Sequence, residues 1–435
     1  MTEADRRPRV AVVGAGAAGL MAAIHAARSG QCLEVVVLDS ARTLGAKILI
    51  SGGGRCNVTH HAVDETAFSG STRPAIRKVL RRFDVARTVE FFAAQGVALK
   101  REQTGKLFPV SDRARTILDA LLGCAREDGV VVRHPWRVEA VERADGGFRL
   151  HASSGERLDV DRVVLAAGGR SLPKTGSDGH GYALARSLGH SITRRVFPAL
   201  VPLTLPRDHP LCALSGLSAP VRVEVRAGSG RSLAHFEGSL LCTHFGLSGP
   251  AVLDVSRYWI DARSHDPRAT LVVCWRPGMA PGTLDAALRG LGTGTPGGVL
   301  EQWLPDRLAR ALCAAAGVDA NQRGYRLTRQ ERTALVRAVL EMPLPVTGDR
   351  GFGYAEVTAG GVPLAEVRLA TMESRVCPGL YLCGEICDVD GRIGGFNFQW
   401  AWASGYVAGV SAGAPQAAFP SPKGAATLEE ESSTH

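Results

Sequence analysis

Apolar runs and helical patterns alternate along the first forty residues of the chain. An apolar run over residues 10–13 meets Gly14, helical spacing follows over residues 20–27, and a β-branched run over residues 34–38 ends at Asp39. Short β-branched runs favour strands, whereas apolar residues at every third or fourth position favour a helix. The pattern therefore predicts a strand, a glycine turn, a helix and a second strand.

The same alternation continues to residue 166. It predicts helices over residues 76–95 and 115–126, and strands over residues 130–133, 137–141, 147–151 and 163–166. Alternating units of this kind are typical of a mixed α/β domain. The segment over residues 45–59 contains too many glycines for regular structure, so we predict an irregular segment there.

The pattern changes near Pro198. Alternating apolar runs and prolines come first, and helical spacing follows over residues 283–288, 298–315 and 330–340. After Gly353 the strand and glycine pattern of the first part returns, and it predicts a strand over residues 380–382 and a helix over residues 397–410. We therefore predict a discontinuous dinucleotide-binding domain of residues 1–198 and 350–412, an inserted substrate region of residues 199–349 that is β-rich over 199–278 and helical over 279–349, and a disordered tail over residues 413–435.

Composition places the chain among folded globular proteins. Of its 435 residues, 45% are apolar and 21% are charged, which excludes global disorder. The 51 Lys and Arg residues exceed the 42 Asp and Glu residues and give a formal charge of +9. Because these charges are dispersed rather than grouped with aromatic residues, we expect anionic cofactors or small-molecule substrates as partners, and no nucleic acid.

The sequence lacks the features of a secreted or membrane protein. None of the ten cysteines forms a C-x-x-C pair, and the segment MTEADRRPRV contains no apolar targeting region. There is no run of about 18 apolar residues that would predict a membrane span. We expect a cytoplasmic protein without disulfides, and the scattered histidines show no ligand spacing that would predict a metal site.

The motif that carries most information is GAGAAG at residues 14–19, between the first strand and the first helix. Gly14 makes the tight turn, Gly16 lets the backbone approach a pyrophosphate, and Gly19 permits close contact between helix and strand. The free N–H groups of the helix amino terminus attract the pyrophosphate. Asp39 follows Gly19 by twenty residues and suits ribose hydroxyls. The motif predicts a bound dinucleotide rather than a glycine turn without a ligand.

A second match to the glycine pattern, GTGTPG at residues 292–297, follows a helical segment and contains Pro296. We interpret it as a loop between helices. The sequence therefore shows no second dinucleotide motif for a nicotinamide cofactor.

Another glycine-rich block covers residues 45–57 and includes three consecutive glycines at 52–54. Its backbone donors can lie against a ligand while Lys47 or Arg55 offsets phosphate charge, although a flexible loop would have the same composition. Cys56, in the same block, is a candidate redox or nucleophilic thiol.

Small residues follow two later strands. Residues 163–166 lead into Ala167 and Gly168, and residues 380–382 lead towards Gly384 and Glu385. Small residues there permit close approach of a cofactor, although a plain exit from a strand would look the same. The helix that begins near residue 397 presents an amino terminus that stabilises negative charge on a reduced ring system.

Together these motifs resemble one protein family. The chain is similar to the bacterial FAD-binding flavoproteins labelled aminoacetone oxidase family or BaiN-type NAD(P)/FAD-dependent oxidoreductases in the blocks GAGAAG, GAKILISGGGRCNVTH, KLFPVSDRA, LAAGGRSLPKTGSDGHGYALARSLGH, TAGGV and LCGEICDVDGRIGGFNFQWAWASG. The resemblance implies an α/β, two-dinucleotide-binding-domain flavoprotein fold with a Rossmann-like FAD domain and an inserted β-rich and helical domain. It also implies noncovalent FAD.

The resemblance further implies roles for individual residues. The GAGAAG glycines would hold the pyrophosphate, Asp39 the adenosine ribose and Val138 the adenine, while Gly384 and its neighbours would reach the ribityl chain and ring. The expected cofactor-binding residues are Gly14, Gly16, Ala17, Ala18, Gly19, Asp39, Ser40, Lys47, Gly53, Gly54, Arg55, Cys56, Asn57, Val138, Ala167, Gly168, Gly384, Glu385, Gly395, Phe396 and Asn397.

Several activities are open at this point, and a reductase is our first expectation. In it NAD(P)H docks transiently, reduces the flavin, and the flavin reduces an activated C=C in a small organic molecule. The alternatives are an amine or aminoketone oxidase that uses oxygen, a flavin-dependent RNA-modifying protein, and a flavin-holding protein without catalysis. His180 and His244 are candidate acids or bases, each with a structural role as the alternative. The oligomeric state is not predicted.

Overall fold

The computed structural model of the protein describes residues 7–415, so most of the predicted tail lies outside the described residues. The strands are β1 Arg9–Val13, β2 Glu34–Leu38, β3 Thr59–His60, β4 Phe68–Gly70, β5 Leu99–Arg101, β6 Lys106–Pro109, β7 Val131–Arg133, β8 Val138–Ala144, β9 Gly147–Ala152, β10 Arg157–Val160, β11 Arg162–Leu165, β12 Phe197–Ala199, β13 Leu203–Thr204, β14 Ser218–Arg226, β15 Ser232–Thr243, β16 Gly246–Ser248, β17 Thr270–Cys274, β18 Met342–Leu344, β19 Gly348–Asp349, β20 Val357–Ala359, β21 Val367–Arg368, β22 Glu373–Ser374, β23 Leu380–Leu382 and β24 Val389–Gly391. The helices are α1 Ala17–Arg28, α2 Ala46–Gly54, α3 Arg73–Leu80, α4 Val85–Ala94, α5 Ala114–Glu127, α6 His180–Ser187, α7 Pro210–Ala213, α8 Pro250–His265, α9 Pro281–Arg289, α10 Pro296–Leu300, α11 Asp306–Ala315, α12 Arg329–Leu340 and α13 Phe396–Gly413. Over residues 7–415, no helix combines the length and the apolar character that a membrane crossing requires.

A seven-stranded sheet in the order β21-β22-β23-β11-β1-β2-β7 carries the first part of the fold. The strands from β23 to β7 run parallel, and β1, β2 and β11 are almost entirely buried. Strands covered on both faces need continuous apolar sequence, which explains the β-branched runs. Helix α1 connects β1 to β2, as in the doubly wound folds that bind dinucleotides.

A second seven-stranded sheet, in the order β18-β17-β14-β15-β16-β13-β19, is antiparallel. Its apolar core is built from residues between positions 203 and 346. The other large core combines residues between positions 10 and 188 with residues between positions 362 and 412. Two separate cores support the division into an interrupted domain and an insert, whose limits at 199 and 349 stay a prediction.

The two sheets are joined by a short antiparallel pair, β12 with β20. Beside it, Leu253 of α8 packs in a small apolar cluster that includes Leu200 and Val357. Because β12 precedes the insert and β20 follows it, this pair closes the base of the insert.

Helix α13 packs against α1 through a row of glycines. A Cβ atom at Gly405 would lie 2.5 Å from the Ala18 backbone oxygen, and one at Gly413 would lie 2.6 Å from that of Ala26. Gly409 occupies the same row between them. Glycine is needed because the two backbones approach too closely for a side chain. Since residue numbers rise together along both helices, α1 and α13 are parallel and their amino termini point the same way.

Two predictions in the first part of the chain are wrong in detail. The segment expected to be irregular from residue 45 begins with helix α2, whose helical conformation is lost at Ser51 and the two glycines after it. The single helix predicted over residues 76–95 is two helices. Asp84 ends the connection between them and caps α4 by accepting a hydrogen bond from the Arg87 N–H at 3.0 Å.

The insert also differs from its prediction. The part predicted to be β-rich contains the 16-residue helix α8, and the part predicted to be helical contains β18 and β19. Residues 251–255 include two valines and little helical spacing, and this concealed a helix that Pro250 opens in its first turn. The helix predicted over residues 298–315 is interrupted before α11, where Pro305 breaks the helical hydrogen bonding.

Candidate functional site

The carboxyl ends of β1, β2, β11 and β23 and the amino ends of α1 and α13 meet at one cleft of about 640 Å³. This volume lies within the range of small-molecule sites. Open parallel sheets bind their ligands outside the carboxyl ends of the strands, so the cleft lies where the fold favours a ligand.

The first glycine turn forms the middle of the cleft. A Cβ atom at Gly16 would meet nothing within 4 Å, so the backbone there faces open space. The first N–H groups of α1 have no acceptor in the helix, and Ala17 and Ala18 line the cleft. Gly19 does not line it, because a Cβ atom there would lie 1.8 Å from the Gly14 carbonyl oxygen. Gly19 therefore packs the helix on the turn, as expected from the motif, and the pyrophosphate contact that the resemblance implies for it stays a prediction.

Asp39 stands on the cleft wall at the end of β2. One carboxylate oxygen accepts the Ala15 N–H at 2.6 Å and the other accepts the Ala41 N–H at 2.7 Å. Each oxygen has a further lone pair available for a ribose hydroxyl. Ser40 and Val138 also line the cleft, so the structure brings these three predicted adenosine residues to one cleft.

Lys47 of α2 connects separate segments of the cleft wall. Its Nζ forms an ion pair with Glu385 and donates to the Ser171 hydroxyl oxygen at 2.6 Å. Glu385 also accepts hydrogen bonds from the Ser171 hydroxyl at 2.7 Å and the Thr358 N–H at 2.9 Å. The Glu385 carboxylate is thus occupied by protein groups, and its predicted contact with the ribityl chain stays a prediction.

Two buried polar atoms on the cleft wall have no hydrogen-bond partner among the described residues. They are Asn57 Oδ1 and Ser177 Oγ, and each residue is 8% exposed. Leaving a buried polar group unpaired costs roughly 1–3 kcal/mol, so both positions fit a ligand that supplies the missing partner. Asn57 lies against Gly52, and Ser177 lies against Gly168. The two unpaired atoms therefore belong to two different glycine segments of the wall.

Arg55 lines the cleft, but its guanidinium already interacts with other protein groups. Its guanidinium donates to Glu102 at 2.7 Å and lies 4.0 Å from the centre of the Phe108 ring. Gly53 lines the cleft and a Cβ atom there would meet nothing within 4 Å, whereas Gly54 does not line it. The predicted contact of Gly54 with the cofactor stays a prediction, and Arg55 is only partly available to a phosphate.

Of the three candidates for catalysis, only His180 lines the cleft. Cys56 is fully buried and absent from the cleft wall, and burial raises the pKa of its thiol to about 12. A thiol that stays protonated is neither a nucleophile nor a redox group at neutral pH. His244 is exposed in the turn between β15 and β16 and does not line the cleft. His180 lines the cleft, but its Nε2 lies 3.2 Å from the Glu139 carbonyl oxygen, next to Val138 at the predicted adenine position.

The start of α13 forms the other end of the cleft. Gly395 precedes the helix, and a Cβ atom there would lie 2.5 Å from the backbone of Thr59. Phe396 is buried and does not line the cleft, so its predicted contact with the cofactor, which the backbone could still make, stays a prediction. The Asn397 side chain is held by the Gly391 backbone, accepting at 2.8 Å and donating at 2.9 Å. What α13 offers a ligand is mainly its amino terminus.

Five charged residues on the cleft wall were not predicted from the sequence, and they are Glu356, Lys106, Arg137, Asp178 and Arg392. The Glu356 side chain is exposed to the cleft but surrounded by protein, and this desolvation raises its pKa, against the opposing effect of Lys47 and Lys106. Within residues 7–415 its carboxylate has no hydrogen-bond partner. Lys106 begins the block KLFPVSDRA and Glu356 lies just before the block TAGGV, and this position beside family motifs could have indicated both residues.

Most of the predicted cofactor residues share this cleft. Those that line it are Gly14, Gly16, Ala17, Ala18, Asp39, Ser40, Lys47, Gly53, Arg55, Asn57, Val138, Ala167, Gly168, Gly384, Glu385, Gly395 and Asn397. The sequence analysis did not name Ser171, which contacts Lys47, or Ser177, on the wall. The glycine pattern at 292–297 does not line the cleft, and its last two residues open helix α10 instead.

The sequence profile of the HI0933-like protein Rossmann domain matches residues 8–411. The chain belongs to the HI0933-like family. The match includes the two segments of the interrupted domain, before and after the insert, and the insert itself. The family assignment therefore rests on nearly the whole described chain.

Relatives of this HI0933-like protein carry two kinds of name. The chain is 36% identical over 408 residues to a 3-dehydro-bile acid delta(4,6)-reductase of Clostridium scindens, which covers 93% of this chain and 98% of the relative. It is 33% identical over 405 residues to a ribosomal RNA dihydrouridine synthase of Escherichia coli, which covers 91% of this chain and 96% of the relative. A protein of the same name from Haemophilus influenzae is 31% identical, covering 92% and 97%. The resemblance drawn from the motifs is confirmed, with the FAD-binding Rossmann fold and the oxidoreductase class.

Proposed function

We propose that this protein holds FAD noncovalently along the cleft and reduces a carbon–carbon double bond conjugated to a carbonyl group. The observation that carries the proposal is one cleft lined by two helix amino termini and by the unpaired atoms of Asn57 and Ser177. Helix amino termini favour negative charge, such as a pyrophosphate and a reduced ring. FAD, when bound, supplies the two-electron chemistry, and the protein supplies orientation and electrostatics.

The cleft residues fall into three groups under this proposal. Asp39 and Val138 hold the adenosine, and Ser177 contributes a hydroxyl nearby. The N–H groups that follow Gly16 hold the pyrophosphate. Asn57 and the start of α13 hold the ring, where the positive end of the helix dipole stabilises the charge of the reduced state.

The names of the relatives support one substrate chemistry. A delta(4,6)-reductase acts on carbon–carbon double bonds, and dihydrouridine is uridine with its ring double bond saturated. A double bond conjugated to a carbonyl is polarised, so that one carbon accepts hydride and its neighbour accepts a proton. We propose a small organic enone as the substrate class and a reduced nicotinamide nucleotide as the electron source.

Anaerobic stopped-flow spectroscopy of the purified protein tests the proposal. The visible spectrum should show flavin, NADH or NADPH should bleach it, and an enone such as a 3-keto-4-ene steroid should restore it without oxygen. An amine or aminoketone oxidase would instead be bleached by the amine and release hydrogen peroxide in air. The proposal would be overturned if the protein bound no flavin, or if neither nucleotide bleached the flavin.

A second candidate, reduction of a uridine in RNA, is favoured by one feature of the surface. The Arg350 guanidinium lies 3.5 Å from the centre of the Tyr354 ring and 4.2 Å from that of Phe245. Tyr354 is 53% exposed and precedes Glu356, on the cleft wall, by two residues. Exposed aromatic and arginine side chains stack on single-stranded bases, so this cluster fits a base that enters the cleft.

The two substrate classes are separated by the variant Y354A. Reduction of uridine in ribosomal RNA, followed by mass spectrometry of the digested RNA, should fall in Y354A if RNA is the substrate. Reduction of a small enone should be unchanged in the same variant. Retention on RNA that weakens steeply with salt would further favour the second candidate and contradict the expectation of no nucleic-acid partner.

A further inference from the structure

The geometry points to Glu356 as the catalytic acid, the group that delivers a proton to the substrate carbon beside the one that receives hydride. This inference rests on the proposed reductase function and adds to it the residue that protonates the substrate. It is an alternative to His180, which contacts the backbone beside the predicted adenine position, and to His244 and Cys56, which do not line the cleft.

The backbone fixes the position of Glu356. Its N–H donates to the Leu200 carbonyl oxygen at 3.2 Å, and strand β20 begins at the next residue and pairs with β12. Leu200 and Val357 both line the cleft, so Glu356 stands between two wall residues at the base of the insert. A side chain that starts from a paired strand end is held more precisely than one in a free loop.

Glu356 is also the acidic residue on the wall whose carboxylate is not already occupied. Asp39 accepts two backbone N–H groups, Glu385 binds Lys47, and Asp178 accepts the Arg137 guanidinium at 2.8 Å. Of the four acidic side chains that line the cleft, Glu356 alone has no hydrogen bond to another part of the described chain, residues 7–415. Its carboxyl group is therefore available to a ligand.

Charged groups on three elements face Glu356. They are Lys47 on α2, Lys106 on β6 and Asp254 on α8. Desolvation is the largest influence and raises the pKa of Glu356, Asp254 raises it further, and the two lysines lower it. A raised pKa keeps the carboxyl group protonated closer to neutral pH, as an efficient acid catalyst requires. The lysines then stabilise the carboxylate that is left after proton transfer.

The proposed step balances. The substrate carbon β to the carbonyl receives a hydride, with its electron pair, from the reduced cofactor. The O–H bond of Glu356 breaks as a C–H bond forms at the α-carbon, and the carboxylate regains a proton from water. Overall one reduced nicotinamide nucleotide is oxidised, one double bond is reduced, and one proton is consumed.

The test compares E356Q with E356D and with E90Q, a change on the exposed surface of α4. Bleaching of the flavin by NADH or NADPH should stay within about threefold of the parent protein in all three variants. Reoxidation by the enone should fall about 10²- to 10⁴-fold in E356Q, the usual contribution of an acid catalyst. E356D should recover part of that loss, and E90Q should match the parent.

A readout independent of turnover is infrared titration of the oxidised protein. The difference between the parent and E356Q spectra should contain one carboxyl C=O component that persists to higher pH than that of an ordinary glutamic acid, since the bands of Asp254, Asp388 and Asp390 are common to both proteins. Equal FAD content and equal melting temperature would show that E356Q is folded, and E356D provides a second variant if it is not.

The outcomes separate this inference from the function on which it rests. Reoxidation of E356Q by the enone at the parental rate, or a carboxyl region in the E356Q spectrum identical to that of the parent, would overturn the assignment of Glu356 alone. Failure of the parent protein to reduce any conjugated double bond would overturn the proposed function, and the role of Glu356 with it.

Discussion

Gly409 and Ala22 form the closest contact in the glycine row between α13 and α1, where a Cβ atom on Gly409 would lie 2.2 Å from the Ala22 carbonyl oxygen. The two backbones cannot separate to make room for a side chain unless one of the helices moves. Because both helices begin at the cleft, this contact links the stability of the fold to the position of two ligand-binding amino termini.

The variant G409A should therefore lower the free energy of unfolding by about 1–3 kcal/mol, the usual cost of overpacking a tight contact. It should also weaken FAD binding. The matched control is G123A in helix α5, where a Cβ atom would meet nothing within 4 Å. This control should be neutral, or stabilising by up to about 1 kcal/mol, because alanine favours helix over glycine. Chemical denaturation measures both, and equal effects would contradict the packing argument.

The variant N57A should raise the dissociation constant of FAD by about tenfold, the equivalent of one hydrogen bond lost to the ligand. The reason is that Asn57 Oδ1 is buried on the cleft wall and has no partner elsewhere in the described structure. Quenching of flavin fluorescence by the apoprotein measures the constant. N321A, on the exposed surface of the insert, should leave it unchanged. An unaltered constant in N57A would show that Asn57 does not contact the cofactor.

The variant R257M should destabilise the protein by about 3–5 kcal/mol, because it leaves a buried charge without its partner. Arg257 lies on α8, its Nε is 2.6 Å from a carboxylate oxygen of Asp390, and a second nitrogen donates to the other oxygen at 3.1 Å. The Nε–H is not directed at its oxygen, so that contact is an ion pair rather than a hydrogen bond. The double variant R257M/D390N should recover much of the loss in urea denaturation. No recovery would mean that the loss in R257M does not come from the unpaired Asp390 charge.

The variant D388N should stabilise the protein more as the pH rises. Burial first, and the neighbouring Asp390 charge second, raise the pKa of Asp388 to about 6, from an ordinary value of 3.8. The folded protein therefore binds this proton more tightly than the unfolded chain does, and Asp388 lowers stability progressively as the pH rises between these values. The benefit of D388N should grow by up to about 3 kcal/mol from acid to neutral pH. Denaturation across this range measures it, and exposed D145N should show no such trend.

The local patterns predicted the first strand, turn and helix well because their causes lie within a few residues. The run before Gly14 is apolar since β1 is covered on both faces, and Asp39 ends β2 in the sequence as in the structure. The same holds for the start of α13. The family resemblance then located most of the cleft wall, which periodicity alone does not indicate.

What the sequence did not reveal depends on contacts between distant segments. Glu356 faces the cleft because β20 pairs with β12, some 160 residues earlier, and no local pattern encodes that pairing. Ser177 lines the cleft, Ser171 contacts Lys47 behind the wall, and both lie outside the helices and strands, where the sequence carries little periodicity. The family resemblance assigned Phe396 to the cofactor together with its neighbours, but its side chain is buried in the core and does not line the cleft. Sequence proximity identifies a segment, whereas packing decides which way each side chain points.

The parallel arrangement of α1 and α13 has a consequence for the choice of cofactor. Ala18 stands opposite Gly405, so α13 begins eight residues further out than α1, and at 1.5 Å per residue the two starting points are offset by about 12 Å. The glycine row locks this offset, since neither helix can slide along the other. The fixed offset therefore favours an elongated anionic ligand, which contacts the amino termini of both helices at once. A mononucleotide contacts one amino terminus and leaves the other solvated.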